Sequence, residues 1–194
     1  YIGDWSSDVC SSDLLPWTDD CEQLRRRLAL AHRHLGNPWP KRDRNTLLEA
    51  PEQWLGACLE GCLSWKDLDE GSLQEALWGD LSWSQRQELN RLLPLHLSIP
   101  SGRKAPLRYE DDEVVLAVKL QEMFGCQDGP TVLDNRLAVM VELLSPAGRP
   151  LQRTRDLSGF WRGSYSDVRR EMRGRYPQHP WPDNPLEATA TAYT

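Results

Sequence analysis

The chain has 194 residues, 39% of them hydrophobic, and a formal net charge of −6. That length allows one domain or two small ones, with enough apolar side chain to build a core. The acidic balance excludes a strongly cationic nucleic-acid binder, so any such contact is local; no apolar run approaches the ~18 residues of a membrane span.

Residues 1–14 (YIGDWSSDVCSSDL) show no hydrophobic period and no signal-peptide core. They resemble the conceptual translation of a sequencing-library adapter, since residues 8–14 back-translate to GAC GTG TGC TCT TCC GAT CT. The expectation is an artefactual or disordered leader, with the coding sequence extending upstream. Without Asp4, Asp8 and Asp13 the net charge is −3.

Residues 15–94 read as a small helical bundle. Asp19 with Glu22 predicts a capping box, and Leu24, Leu28, Ala31 and Leu35 share one face before Gly36. Residues 37–40 form a rigid connector, and Pro51 suits the first position of a helix using Trp54, Leu55, Cys58 and Leu59. Ser72 with Glu75, and Ser84 with Gln87, repeat the capping signature. Trp17, Trp39, Trp54, Trp65, Trp78 and Trp83 are assigned to the core of this bundle. Beyond Cys10 in the leader, Cys21, Cys58, Cys62 and Cys126 are spaced as reduced thiols of a cytoplasmic protein. Cys58 and Cys62 with His32 and His34 could in principle assemble a zinc site. No paired C-x-x-C occurs, so small buried side chains and no metal are the expectation.

The pattern changes at Pro94. Leu95, Leu97 and Ile99 alternate with polar residues, Gly102 turns the chain, and residues 104–110 alternate again around Ala105, Leu107 and Tyr109. Asp111 or Asp112 caps an expected helix over residues 113–124. Two further strands flank a turn at Asp134 and Asn135, with Leu137, Val139, Val141 and Leu143 facing one way, and Leu151 starts another. About five strands with one interposed helix are compatible with a partly open barrel of the OB type over residues 95–155, or with another α+β sheet.

Residues 143–185 hold the densest signal. Ser145, Pro146, Ala147 and Gly148 form a turn between strands. Asp156 caps a helical segment through Phe160 and Trp161, and Tyr165, Val168, Met172 and Tyr176 mark one face of a second helix. Pro177, Pro180, Pro182 and Pro185 make an extended strap, closing a region over residues 156–185 before a disordered tail over 186–194. Residues 149–175 carry eight arginines against Asp156, Asp167 and Glu171, with aromatics between them. Such interleaving is the composition of a nucleic-acid surface, and equally of core aromatics beneath a solvated arginine face.

The words LAVKLQEMFG (116–125), LLSPAGRPLQ (143–152) and RGRYP (173–177), with Arg108 and Tyr109, resemble the C-terminal region of the bacterial HrpB helicases. Those are DEAH-box-type, ATP-dependent RNA helicases. The resemblance is dense over residues 97–185 and looser through the helices before them. It implies an α+β chain: a helical bundle, then an OB-like partly open β-barrel with C-terminal helices and a Pro-rich strap. It also implies single-stranded RNA and an upstream helicase core as partners, in the cytoplasm. No G-x-x-x-x-G-K-[ST] loop occurs, and Asp112–Glu113–Val114–Val115 lacks the His of a DEAH motif, so no catalytic residue transfers to this chain. ATP and magnesium belong to the missing motor, and the chain alone is expected to be inactive. Arg149, Arg153, Arg155, Arg103 and Lys104 are the candidate nucleic-acid contacts. The competing expectation is a docking module, with Trp181 exposed on a strap laid across a neighbouring domain. Convergence of the five cations on one open groove favours the first; pairing with carboxylates favours the second.

Overall fold

The computed structural model describes residues 16–59 and 68–192, so the leader, Cys62 and Trp65 lie outside it. The chain divides into two compact units. One runs to Leu93 and includes Tyr109–Asp112; the other comprises Pro94–Arg108 and Glu113–Thr194.

The first unit is helical: α1 (Asp19–Leu35), α2 (Arg44–Glu49), α3 (Pro51–Leu59), α4 (Glu70–Trp78) and α5 (Trp83–Leu92). Leu28, Leu30, Leu55, Leu73, Leu77 and Leu89 form its fully buried core. The helix starts lie one to three residues before the sequence expectation. Thr18, not Asp19, caps α1 by accepting from the Cys21 N–H at 3.3 Å. Asp69, not Ser72, caps α4, and Ser82 with Gln85 forms the capping box of α5. A short polar side chain precedes each true start, where its oxygen reaches the unpaired N–H two or three residues on. Pro51 does occupy the first turn of α3.

Two buried arginines add polar contacts to this core. Arg25, 2% exposed, donates to Glu22, to Asp111 and to the Arg42 carbonyl. Arg27 donates to the Leu93 carbonyl at 2.8 Å and to Asn90 Oδ1, with its guanidinium over the Tyr109 ring. Without a carboxylate partner, burial pushes the Arg27 pKa down. Trp39 and Trp54 are in the core as expected, but Trp83 stands 75% exposed at the start of α5. Cys58 is half-buried and its thiol donates to the Ser72 carbonyl, and among the described residues no group of three potential metal ligands comes together.

The second unit is built on a five-stranded sheet in the order β1-β2-β3-β6-β7. Its strands are β1 (His96–Ser98), β2 (Lys104–Tyr109), β3 (Val114–Lys119), β6 (Met140–Leu144) and β7 (Pro150–Thr154). A separate pair, β4 (Thr131–Val132) and β5 (Leu137–Ala138), flanks Leu133, Asp134 and Asn135, all at positive φ. The hairpin expected at Asp134 and Asn135 is therefore present but short, and β6 breaks away from it to run parallel to β3. The helix expected over residues 113–124 is not formed. Val114, Val115, Leu116 and Val118 are all buried in a central strand, and only Leu120–Met123 coils, as a 3₁₀ turn. A run of β-branched residues covered on both faces has no polar alternation to mark it as a strand. The sheet is open, with β1 and β7 as edges, and does not close into a barrel among the described residues.

Two helices follow, α6 (Leu157–Arg162), capped by Asp156, and α7 (Tyr165–Arg175). Phe124, Phe160, Trp161 and Tyr165 make one aromatic cluster, with centroid separations from 5.0 to 6.4 Å. The strap closes on α7 rather than projecting away from it. Trp181 is 8% exposed, correcting the expectation of an exposed ring, and its indole donates to the Tyr176 carbonyl. Tyr165 Oη and Arg169 Nε donate to the Pro182 and Trp181 carbonyls, both at 2.8 Å. Residues 186–192 of the tail expected to be disordered lie against the 3₁₀ turn. Gly125 N–H donates to the Pro185 carbonyl and Thr191 N–H to the Gln121 carbonyl. Among the described residues no helix is long and apolar enough to cross a membrane.

Candidate nucleic-acid interface

The sheet of the second unit sorts its side chains by strand alternation. In β2, Ala105, Leu107 and Tyr109 are buried while Lys104, Pro106 and Arg108 are exposed. In register across β3, β6 and β7, Ala117 pairs with Glu142 and Glu142 with Arg153, so these lie on one face. Arg108 comes within 3.7 Å of Glu142, which places the exposed row of β2 on that same face.

The same register defines one end of the sheet. Lys119 closes β3 opposite Leu144, and Leu144 lies opposite Pro150, next to Arg149 in the β6–β7 turn. Residues 110–113 join β2 to β3, too short for a parallel crossover. These neighbours therefore form a hairpin, and the start of β2, with Arg103 and Lys104, meets the end of β3. Arg103, Lys104, Lys119 and Arg149 thus gather at one end. Nothing local marks Lys119 as a contact, since its apolar neighbours suit a helix as well as a strand; only strand pairing brings it to this end.

The turn that carries Arg149 is tightly built. Ser145 N–H donates to the Arg149 carbonyl at 2.8 Å, Gly148 N–H to the Ser145 carbonyl at 2.9 Å, and Arg149 N–H to Ser145 Oγ. Gly148 takes φ 76°, the left-handed region a side chain resists.

The five candidate cations then divide. Lys104 and Arg149 are exposed and meet no carboxylate among the described residues. Arg153 and Arg155 both donate to Glu113, at 2.6 and 3.0 Å. These guanidiniums are about half exposed, so each pair contributes only about 0.2–1 kcal/mol and yields readily to another anion. Arg103 donates through Nε and Nη2 to the two oxygens of Glu122, at 2.7 and 2.9 Å. Burial alone would raise the Glu122 carboxyl, but Arg103 and the Lys119 N–H outweigh it and hold it below the usual glutamate range. Its hydrogen bonds to Glu122 raise Arg103 in turn.

Charge separates the two units. Pro94–Arg108 with Glu113–Thr194 hold thirteen basic and ten acidic residues, whereas residues 15–93 with Tyr109–Asp112 hold ten basic and sixteen acidic. An anion is therefore drawn to the sheet unit.

The model of the family described as ATP-dependent helicase C-terminal, HrpB_C, matches residues 54–185. The chain belongs to the HrpB C-terminal family. It is 45% identical over 183 residues to the ATP-dependent RNA helicase HrpB of Escherichia coli (strain K12), covering 93% of this chain and 23% of that protein. A crystal structure of the E. coli DExH-box NTPase HrpB superposes with a TM-score of 0.81 at 44% identity, over 94% of this chain and 23% of that one. A second, of the E. coli DEAH/RHA helicase HrpB, gives 0.66 at 43% identity, over 88% and 22%. The chain thus spans about a quarter of its HrpB relatives' length, and the family match reaches across both units, from α3 to the end of the strap.

Proposed function

We propose that this chain is the OB-type C-terminal accessory region of a cytoplasmic ATP-dependent RNA helicase. In this reading the cationic end of its sheet holds the phosphate backbone of single-stranded RNA, and the remainder packs against a helicase core in the same polypeptide. The observation that carries it is the gathering of Lys104, Lys119 and Arg149 at one end of an open sheet, in the unit with the cationic surplus. Lysine and arginine at a strand end read charge rather than base edges, which suits a strand that must slide. ATP and magnesium belong to the upstream core, since this sequence has no phosphate loop.

Low-salt titration of the 194-residue chain with single-stranded RNA tests the reading. Two or three phosphate contacts give affinity of about micromolar or weaker, falling with salt at a log–log slope of about −0.7 per contact. Lys104→Ala with Arg149→Ala should flatten that slope by about 1.4 without changing the folded fraction.

The pairing of Arg153 and Arg155 with Glu113 favours a second reading, a docking surface without RNA contact. It gains if the parent chain fails to bind RNA at low salt. Should Arg153→Ala with Arg155→Ala flatten the slope while Lys104→Ala with Arg149→Ala does not, the RNA-facing end is wrongly chosen.

A further inference from the structure

Within that RNA-holding reading, we propose that Arg103 is a direct phosphodiester ligand and that the buried carboxylate of Glu122 is the positioning residue that presents it. An ion pair ordinarily argues against a free binding cation. Here the geometry reverses that argument.

Glu122 engages Arg103 side-on, taking one N–H from Nε and one from Nη2. A guanidinium has five N–H donors in a rigid plane, so three remain, including both on Nη1, and they point away from the carboxylate. The Glu122 side chain is only 4% exposed, whereas that of Arg103 is 43% exposed. The acid is thus inside and the cation faces solvent, the orientation required of a support and the thing it supports.

Each partner is also fixed by its own backbone. Glu122 Oε2 accepts the Lys119 N–H at 3.0 Å, and the neighbouring Leu120 and Met123 side chains are fully buried, so the carboxylate cannot swing. The Arg103 carbonyl accepts the Ile99 N–H at 3.0 Å, and the Gly102 N–H closes on the Ile99 carbonyl at 2.9 Å. An arginine held at both ends has little rotamer entropy left to lose when a phosphate arrives. Lys104, Lys119 and Arg149 supply the net charge at this end; Arg103 supplies a fork of fixed direction.

The alternative role for Glu122 is to neutralise Arg103, and the two roles predict opposite results. Glu122→Gln removes one negative charge from this end but also removes the charge-assisted bidentate support. If Glu122 positions Arg103, the variant chain binds a short single-stranded oligouridylate about two- to fivefold more weakly, with a salt slope smaller by about 0.7. Arg103→Ala then gives the same loss, and the double variant no more, the signature of two residues acting as one unit. Tighter binding with a steeper slope for Glu122→Gln overturns the proposal. Arg103→Lys, on an exposed side chain, covers the case in which Glu122→Gln fails to fold: the charge stays while the fork is lost. Weakening of about two- to fivefold at an unchanged melting temperature supports the proposal, and parental affinity overturns it. A parent chain that binds no oligouridylate sinks the RNA-holding reading itself; a binding parent whose Arg103→Lys variant binds equally sinks only this inference.

Discussion

Replacing Trp161 with alanine is expected to cost the sheet unit about 3–5 kcal/mol, a large part of the whole stability of a domain this size. Trp161 is 6% exposed and packs against Phe160, Tyr165 and Phe124 at ring-centroid separations of 5.0, 5.4 and 6.1 Å. Its indole N–H also donates to the Cys126 carbonyl at 2.7 Å. Alanine removes the apolar volume, leaves a cavity beside three rings and orphans a carbonyl, and these losses act in the same direction. Urea denaturation followed by tyrosine and tryptophan fluorescence measures the change. A loss below about 1 kcal/mol would mean that the cluster is not a core.

Arg25→Met is expected to destabilise the helical unit by about 1–3 kcal/mol, because it removes a buried network of charge-assisted hydrogen bonds while Glu22 keeps Arg26 and Asp111 stays in solvent. Glu22 loses contacts at 2.7 and 3.0 Å, and Asp111 loses one at 2.6 Å. The same substitution should alter the acid limb of the stability curve. Burial alone would raise the Glu22 carboxyl, yet Arg25, Arg26 and the Trp17 indole hold it low; Asp111 is held low first by its bond from Arg25. Carboxyls depressed in the folded state contribute stability above their unfolded values, near pH 4, and lose it as pH falls through their folded values. The parent should therefore lose stability below about pH 4, and Arg25→Met should show a flatter limb over that range. Equal acid limbs would contradict the assignment of those shifts to Arg25.

The parts of this molecule that were legible in the sequence are those in which local chemistry decides the outcome. The Ser145–Gly148 turn, the Asp156 cap and the alternation of β2 follow from residues adjacent in the chain, and all three form. What was hidden depends on partners far away. Residues 114–118 carry an apolar run that suits a buried helix or a central strand equally, and only pairing to β6 on one side and β2 on the other decides between them. Trp181 lies among prolines, which fix an extended backbone but say nothing about which surface the ring covers. The candidate site suffered from the same gap. Arg149 and Lys104 could be named from their loops, but Lys119 joins them only through β-sheet register. The burial of Glu122, which turns Arg103 from a paired surface charge into a presented one, has no sequence signature.

Photo-crosslinking of the 194-residue chain to a 4-thiouridine-substituted single-stranded RNA at low salt, followed by peptide mapping, tests whether the cationic end of the sheet holds RNA. Crosslinks are expected in the peptides that carry Arg103 and Lys104, Lys119, and the Ser145–Arg149 turn, and are lost as salt is raised. Crosslinks confined to the acidic helical unit, for example at the exposed Trp83, would contradict it.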